Sequence, residues 1–280
     1  MIKPIKQLLT MNIKIPKKEL SLLPSSYQKL GDVVIVNLKE ELWKYGEKIG
    51  KIILENTPNT KTVCRRTDFI TGKFRQPNIK VIAGEKNTKT IHKENGIFYK
   101  LDVAKVMFSK GNLTERKRLV GQVKQDEVIV DMFSGIGYFS LGLAKFSKAK
   151  KIYAIELNPE SYHYLWGNIK LNKVEDKIVP MFGDCEKECA KLGKIADRIL
   201  MGLLPSPKDY LEYAMEIIKP NGIIHYHSLL GEDESYEKLL FEINDAAVKY
   251  GMEVELLSWK KVKSYSPKVN HVVLDVRLVQ

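Results

Sequence analysis

The stretch Asp131-Met-Phe-Ser-Gly135-Ile-Gly137-Tyr-Phe-Ser140 follows a β-branched run at 127–130 and leads into a helically spaced apolar run at 139–146. A strand that ends in a glycine turn and opens a helix can form one wall of a nucleotide-type site. Gly135 and Gly137 let the backbone approach a ligand where a Cβ would collide. Amides at the start of the next helix offer donors to an anionic group. Two glycines alone specify little, but the context adds to them. Glu156 ends the next strand-like run, at 151–156. An acid about 20 residues beyond the turn accepts the hydroxyls of a ribose. Gly183-Asp184-Cys185 follows a third run, at 178–182. There Asp184 can accept from an adenine amino group, and the Cys185 N–H can donate to the ring. The Cys185 side chain reads as an apolar wall, not as a nucleophile. Position 140 is serine, where a dinucleotide fingerprint has its third glycine. The pattern therefore suits S-adenosylmethionine better than NAD.

Strand-like runs at 127–133, 151–156, 178–182, 198–203 and 222–228 alternate with helical ones at 139–146, 162–171 and 208–218. Such alternation predicts an α/β domain built on a doubly wound, Rossmann-like sheet. The runs 253–262 and 269–279 lack an intervening helix and predict an antiparallel terminal hairpin at the sheet edge. Upstream, 30–100 reads as a small α+β domain, with a strand at 31–38, a helix at 39–55, further strands near 61–66 and 79–84, and a hairpin at Asn95-Gly96. Residues 1–29, interrupted by Pro4, Pro16 and Pro24, read as an arm. The expected organisation is thus 1–29, 30–100 and 101–280, the last holding the nucleotide-type site.

The chain has 280 residues, a net charge of +12 and 44% hydrophobic residues, enough to bury a core. No apolar run reaches the ~18 residues of a membrane span, and the start shows no secretion signal. Cys64, Cys185 and Cys189 cannot make a disulfide framework or a zinc site, so a reducing cytosol without metal is expected. The positive charge fits a phosphate-bearing partner such as RNA, and equally a Lys/Glu-rich heat-adapted surface. Alternation along 225–227 puts His225 and His227 on one face, where packing is the expected role. Tyr162, Tyr164, Leu165, Trp166 and Ile169 read as core.

These residues resemble a known family. Asp131–Ser140 and Ala154-Ile-Glu-Leu-Asn-Pro159 are similar to the class I S-adenosylmethionine-dependent fold. Gly84-Glu85, Thr90-Ile-His-Lys-Glu-Asn-Gly96, Leu101-Asp-Val-Ala-Lys105, Asn168-Ile-Lys-Leu-Asn172 and Ala196-Asp-Arg-Ile-Leu-Met201 resemble the group that holds two enzymes. They are the tRNA guanine-37 N1-methyltransferase and the wybutosine-synthesis aminocarboxypropyltransferase. The methyltransferase branch has Asn-Leu-Pro after the fourth strand, Phe-Ser-Pro-Arg before the linker helix, and Asp where Glu156 stands. This chain has Leu203-Leu204-Pro205, Phe108-Ser109-Lys110-Gly111, and Glu, as the aminocarboxypropyltransferase branch does.

The resemblance implies transfer of the 3-amino-3-carboxypropyl group of S-adenosylmethionine to C7 of 4-demethylwyosine at position 37 of tRNA(Phe), giving methylthioadenosine. Methyl transfer to guanine N1 is the enzyme alternative. An RNA-binding relative that holds S-adenosylmethionine without catalysis is the other. By the resemblance Ser109 and Arg116 contact the methionine arm, Gly135, Gly137, Glu156, Asp184 and Cys185 the adenosine side, and Glu115 and Arg75 the reacting base. Asn112 followed by Glu115 also matches a capping box. Pro205 and Tyr226 are candidates to line a base pocket. Lys110, Lys117, Arg118 and basic residues of the first hundred are candidate contacts to the anticodon-stem phosphates.

Overall fold

The computed structural model describes residues 4–67 and 77–279. The chain divides into two compact units, Met1–Phe108 and Ser109–Gln280.

In the first unit, α1 (Ile5–Asn12) and α2 (Lys17–Leu20) come before a sheet of β1 (Tyr27–Leu30), β2 (Val33–Val36), β3 (Thr62–Arg66) and β4 (Ile79–Gly84), in that spatial order. The helix α3 (Gly46–Asn56) lies between β2 and β3 in sequence. Their pairing is therefore parallel, while the outer pairs are antiparallel. The segment expected to be one helix at 39–55 starts as a 3-10 turn at Glu40–Tyr45. The strands β5 (Lys89–Glu94) and β6 (Ile97–Asp102) make a separate hairpin. Its two turn residues, Asn95 and Gly96, have φ of 49° and 78°, the left-handed pair that a tight hairpin turn requires.

Residues 5–23 are not a free arm. Ile5, Leu9, Ile13 and Leu23 are buried in one apolar cluster with Val34, Val36, Ile49 and Ile53. Pro4 and Pro16 stand at the N-caps of α1 and α2, where no helical N–H is needed. They start these helices instead of breaking them, and the four-residue spacing of Ile5, Leu9 and Ile13 makes one apolar stripe. The unit also continues past residue 100. Phe108 is buried, with its ring edge-on to Tyr99 and His92 at 5.1 Å, and its carbonyl accepts from Gln28 Nε2 at 2.8 Å.

The second unit opens with α4 (Leu113–Gln122). Then come β7 (Val128–Asp131), α5 (Ser140–Phe146), β8 (Lys151–Glu156), α6 (Pro159–Asn172), β9 (Ile178–Phe182) and α7 (Cys185–Cys189). The remainder is β10 (Ala196–Met201), α8 (Leu211–Ile217), β11 (Ile218–Gly231), α9 (Glu237–Val248), β12 (Glu253–Ser266) and β13 (Val269–Val279). The spatial order is β12-β13-β11-β10-β7-β8-β9. Strands β11, β10, β7, β8 and β9 run parallel, while β13 is antiparallel to both β11 and β12. This is the doubly wound sheet with a terminal hairpin. The chain order reverses between β7 and β10, so the switch-point crevice lies beyond the carboxyl ends of these two strands. Tyr164, Leu165 and Ile169 of α6 are buried as core, whereas Trp166 remains 45% exposed.

If α1 belongs to the core, Leu9→Ala should destabilise the first unit by about 2–5 kcal/mol, read as a lowered midpoint in chemical unfolding. An arm would give no shift.

Candidate functional site

The glycine turn is built from contacts that only small residues permit. Gly135 and Gly137 have φ of 58° and 95°. A Cβ on Gly135 would lie 2.4 Å from the Tyr138 ring, and one on Gly137 2.7 Å from Leu141 Cγ. The turn is tied to the neighbouring strand by Ser134, whose N–H and hydroxyl both donate to the Ile155 carbonyl at 2.9 Å.

Glu156 joins three segments at the end of β8. Its Oε2 accepts from the Gly135 amide and its Oε1 from the Asn158 amide, both at 2.7 Å. Its backbone carbonyl accepts from Gly183 at 3.2 Å. Burial raises the Glu156 pKa, while the amides of Asn158, Gly135 and Leu157 pull it back. Asn158 in turn caps α6, accepting from the Glu160 N–H at 3.0 Å ahead of Pro159.

Asp184 and Cys185 follow Gly183. Asp184 caps the short α7 by accepting from Glu186 N–H at 3.2 Å. The Cys185 sulfur is buried 3.7 Å from that of Cys189. The Cys189 sulfur, then burial, hold the Cys185 thiol protonated, which fits an apolar wall and not a thiolate. Phe133 and Tyr210, half-buried, meet edge-on at 5.0 Å. Burial first, then the nearby Asp184, raises the Tyr210 pKa. Sequence reading missed this aromatic pair, because a 3-10 turn after β10 carries Tyr210 and no periodicity marks it.

Beneath the turn, Asp131 is fully buried and accepts from Ser140 Oγ at 2.5 Å. Burial pushes its pKa to about 7, against the hydrogen bonds from Ser140 and the Phe133 backbone, and with help from the Glu156 charge.

Ser109, Glu115 and Arg116 stand around the start of α4. The Ser109 hydroxyl accepts from Lys263 Nζ at 2.6 Å, and its backbone carbonyl accepts from Arg116 Nη2 at 3.0 Å. The Arg116 guanidinium lies 5.4 Å from the Tyr138 ring centroid, which brings this group to the glycine turn. The expected capping box does not form. Asn112 occupies the N-cap position, but its side chain makes no cap hydrogen bond. Glu115 is buried and bridged by Arg118, with Nε–Oε2 at 2.7 Å and Nη2–Oε1 at 2.6 Å. A guanidinium one turn further along the same helix has taken the carboxylate from the capping amide. Arg118 also binds Asp275 through both terminal nitrogens. Its side chain, 13% exposed, is therefore held between two carboxylates and is not placed as a phosphate contact.

The clamp belongs to a longer chain of charges. Asp275 accepts from Ser258 Oγ at 3.0 Å and from His225 Nδ1 at 2.6 Å. Burial works to raise the Asp275 pKa, but hydrogen bonds from His225 and Arg118 hold it well below the usual carboxylate range. His225 Nε2 lies 2.6 Å from Arg198 Nη1. An arginine only donates, so Nε2 accepts and the proton sits on Nδ1. Arg198, 1% exposed, binds Glu127 through two bonds of 2.7 and 3.0 Å. His227 and His271 are buried with ring nitrogens 3.0 Å apart, and burial lowers both to about 3. The histidines thus pack and link, as expected. Tyr226 does not line a pocket: it is fully buried, with its hydroxyl on Ser206 and Glu242. Among the described residues, no group of three or more His, Cys, Asp or Glu side chains is placed to hold a metal. Arg75 lies outside the described residues.

The sequence model of the TRM5/TYW2 methyltransferase domain matches residues 90–256, and that of the TYW2 N-terminal domain matches residues 5–88. The tRNA(Phe) (4-demethylwyosine(37)-C(7)) aminocarboxypropyltransferase of Methanocaldococcus jannaschii is 44% identical over 90% of this chain and 97% of that protein. The tRNA (guanine(37)-N(1))-methyltransferase Trm5b of Pyrococcus abyssi is 39% identical over 95% of this chain and 78% of its own length. The crystal structure of P. horikoshii TYW2 in complex with MeSAdo superposes with a TM-score of 0.83 at 38% identity, covering 98% of both chains.

Asp131 gives a test that needs no ligand. Its folded form keeps a proton up to about pH 7 that an unfolded aspartate loses near 3.8. The stability it contributes therefore falls as pH rises between those values. Asp131→Asn cannot titrate, so the wild-type unfolding free energy should decline relative to the variant's from pH 4 to 7.5. Parallel profiles would refute the buried, protonated assignment.

Proposed function

This chain belongs to the TRM5/TYW2 methyltransferase family, and on that premise we propose that it transfers the 3-amino-3-carboxypropyl group of S-adenosylmethionine to C7 of 4-demethylwyosine at position 37 of tRNA(Phe). One observation carries the choice between the branches. The loop after β10, Gly202-Leu-Leu-Pro205-Ser-Pro207, lacks the Asn that the methyltransferase branch carries before Leu-Pro. The 44% identity to an aminocarboxypropyltransferase over nearly its whole length agrees.

The residues present suit the co-substrate. Glu156 spends one bond per oxygen on the amides of Gly135 and Asn158, leaving lone pairs for the ribose hydroxyls. The adenine fits between the Gly183–Cys185 turn and the Phe133–Tyr210 pair, with Asp184 and the Cys185 N–H reading its edge. Gly135 and Gly137 admit the backbone to the sulfonium side. Ser109 and Arg116 hold the methionine arm.

Every carbon on the sulfonium is electrophilic, so geometry selects the one transferred. C7 of the tricyclic base attacks the arm carbon attached to sulfur. The carbon–sulfur bond breaks, its electron pair stays on sulfur, and methylthioadenosine leaves neutral. The cationic ring then loses its C7 proton and regains aromaticity. Such a proton is acidic, so a carboxylate suffices to take it. We assign this step to Glu115. Exposed lysines such as Lys117 meet the tRNA phosphates, and recognition rests on the extruded base and the anticodon-stem shape. Among the described residues no helix is long and apolar enough to cross a membrane, and a cytosolic setting follows from the tRNA substrate.

S-adenosylmethionine labelled in the methyl or in the carboxypropyl carbons tests the reaction. Chain label alone should enter precursor tRNA. Methyl label in its place would establish the methyltransferase, and no label in either arm the non-catalytic binder. Glu156→Ala should weaken cofactor binding by about 1–3 kcal/mol in calorimetry, and unchanged affinity would remove the ribose from that carboxylate. Glu115→Gln should slow transfer at saturating co-substrate by about 100-fold or more, whatever it does to affinity; a wild-type saturated rate would return Glu115 to a purely structural role.

A further inference from the structure

We propose that His227 is a positioning residue for Glu115: held by His271, it turns an N–H toward one carboxylate oxygen and leaves the other as the proton acceptor. The proposal rests on the reading of Glu115 as the group that takes the C7 proton, and extends it to a pair of buried histidines.

His227 stands on β11 one residue beyond Tyr226, the last residue of that strand paired with β10. It therefore lies just past the carboxyl end of β10, at the switch point of the sheet. It is 1% exposed, and its ring centroid is 5.4 Å from that of Phe139, which follows the glycine turn. Phe139 also borders the loop after β10, since a Cβ on Gly202 would lie 3.3 Å from Phe139 Cε2. Two buried ring nitrogens here, His227 Nε2 and His271 Nδ1, have no hydrogen-bond partner. Packing alone does not call for a polar ring at this depth, where each open nitrogen carries a desolvation cost.

His227 Nε2 lies 3.9 Å from Glu115 Oε1. Both rings are neutral, because burial first, then His225 and Arg118 for His227 and His227 and Lys263 for His271, lower them to about 3. A neutral imidazole has one donor and one acceptor nitrogen, so the 3.0 Å contact between His227 Nδ1 and His271 Nε2 has two forms. If His227 donated, its Nε2 lone pair would face a carboxylate oxygen, and the Nδ1–H of His271 would be a buried donor without an acceptor. If His271 donates, His227 carries its proton on Nε2, toward the carboxylate, and only a lone pair on His271 stays open. Electrostatics favours the second form. Arg118 already occupies one lone pair of each Glu115 oxygen, Nη2 on Oε1 at 2.6 Å and Nε on Oε2 at 2.7 Å. Donation from His227 completes Oε1 and leaves Oε2 with the free lone pair. A shift of about 1 Å brings Nε2 into hydrogen-bond range, and catalytic contacts of this kind tighten when substrate binds.

Two measurements on the full chain test this. In protein carrying 15N-histidine, the ring nitrogens report the tautomer of the native residue, with a His227→Gln sample identifying its signals. The His227 proton should sit on Nε2, and a proton on Nδ1 would overturn the proposal. The second measurement is the saturated rate of label transfer to precursor tRNA. His227→Phe keeps a ring and removes both nitrogens. It should slow that rate by about 10–100-fold, as loss of one hydrogen bond to a charged group does. S-adenosylmethionine affinity in calorimetry should change by less than twofold, which also shows the site to be folded. His227→Gln, whose side-chain amide replaces the Nε2–H, should recover most of the rate. In a Glu115→Gln background His227→Phe should cost nothing further. An equal loss in both backgrounds would show packing only and overturn the proposal. Slow Glu115→Gln with His227→Phe at the wild-type rate would remove this proposal alone, whereas a wild-type rate in Glu115→Gln would remove the base assignment and the proposal with it. If methyl label entered the tRNA, the reaction assignment would fall, while a loss confined to protein that retains Glu115, read on that label, would still support His227.

Discussion

Glu156 is the point on which the ligand-facing end of the sheet depends. One side chain accepts from the amides of Gly135 and Asn158, and its own carbonyl receives Gly183. The turns after β7, β8 and β9 are thereby fixed to each other through a single residue. Backbone amides otherwise left open at such turns carry a desolvation cost, and the carboxylate removes two of them. The same charge is what a ribose diol needs. On the proposed assignment, anchoring the turns and accepting the sugar are one electrostatic arrangement; burial raises the Glu156 pKa against the amides that pull it back.

A second constraint acts from behind the site. The chain Glu115–Arg118–Asp275–His225–Arg198–Glu127 crosses from α4 through β13, β11 and β10 to the start of β7. Buried ion pairs give little net stability, because desolvation offsets their attraction, but breaking one partner leaves a costly uncompensated charge. The chain therefore works as a register device: α4 has one position on the sheet in which every charge is matched. Since α4 carries Arg116 and follows Ser109, matching those charges also places Arg116 beside Tyr138 of the glycine turn.

The chemistry follows from these two constraints. Displacement at a sulfonium asks little of acid or base, since the leaving group departs neutral. What the protein must supply is direction. In the proposed site, Glu156 and Asp184 would fix the adenosine and the α4 entrance the arm, so that the arm carbon on sulfur is the one held in line. A pocket of this kind changes its product by moving a carboxylate contact, without new catalytic groups. This accounts for methyl and aminocarboxypropyl transfer arising within one family on one scaffold.

Much of this was legible in the sequence. The strand–glycine turn–helix unit, the acid ending β8, the Asn95-Gly96 hairpin and the edge strands all follow from local rules of backbone conformation and alternation, which act between near neighbours. The prolines of the first 16 residues misled for the same reason: locally they read as interruptions, and only packing of Ile5, Leu9 and Ile13 against α3 and its sheet makes them helix starts. What tertiary structure alone decided involves partners far apart in the chain. Arg118, which holds Glu115, reached Asp275 across 157 residues, Tyr226 went inside, Tyr210 came to Phe133, and Lys263 reached Ser109 across 154 residues. Charge and hydrogen-bonding preferences are written in each residue, but a long side chain satisfies them with whichever partner the fold brings within about 3 Å, and sequence distance carries no record of that choice.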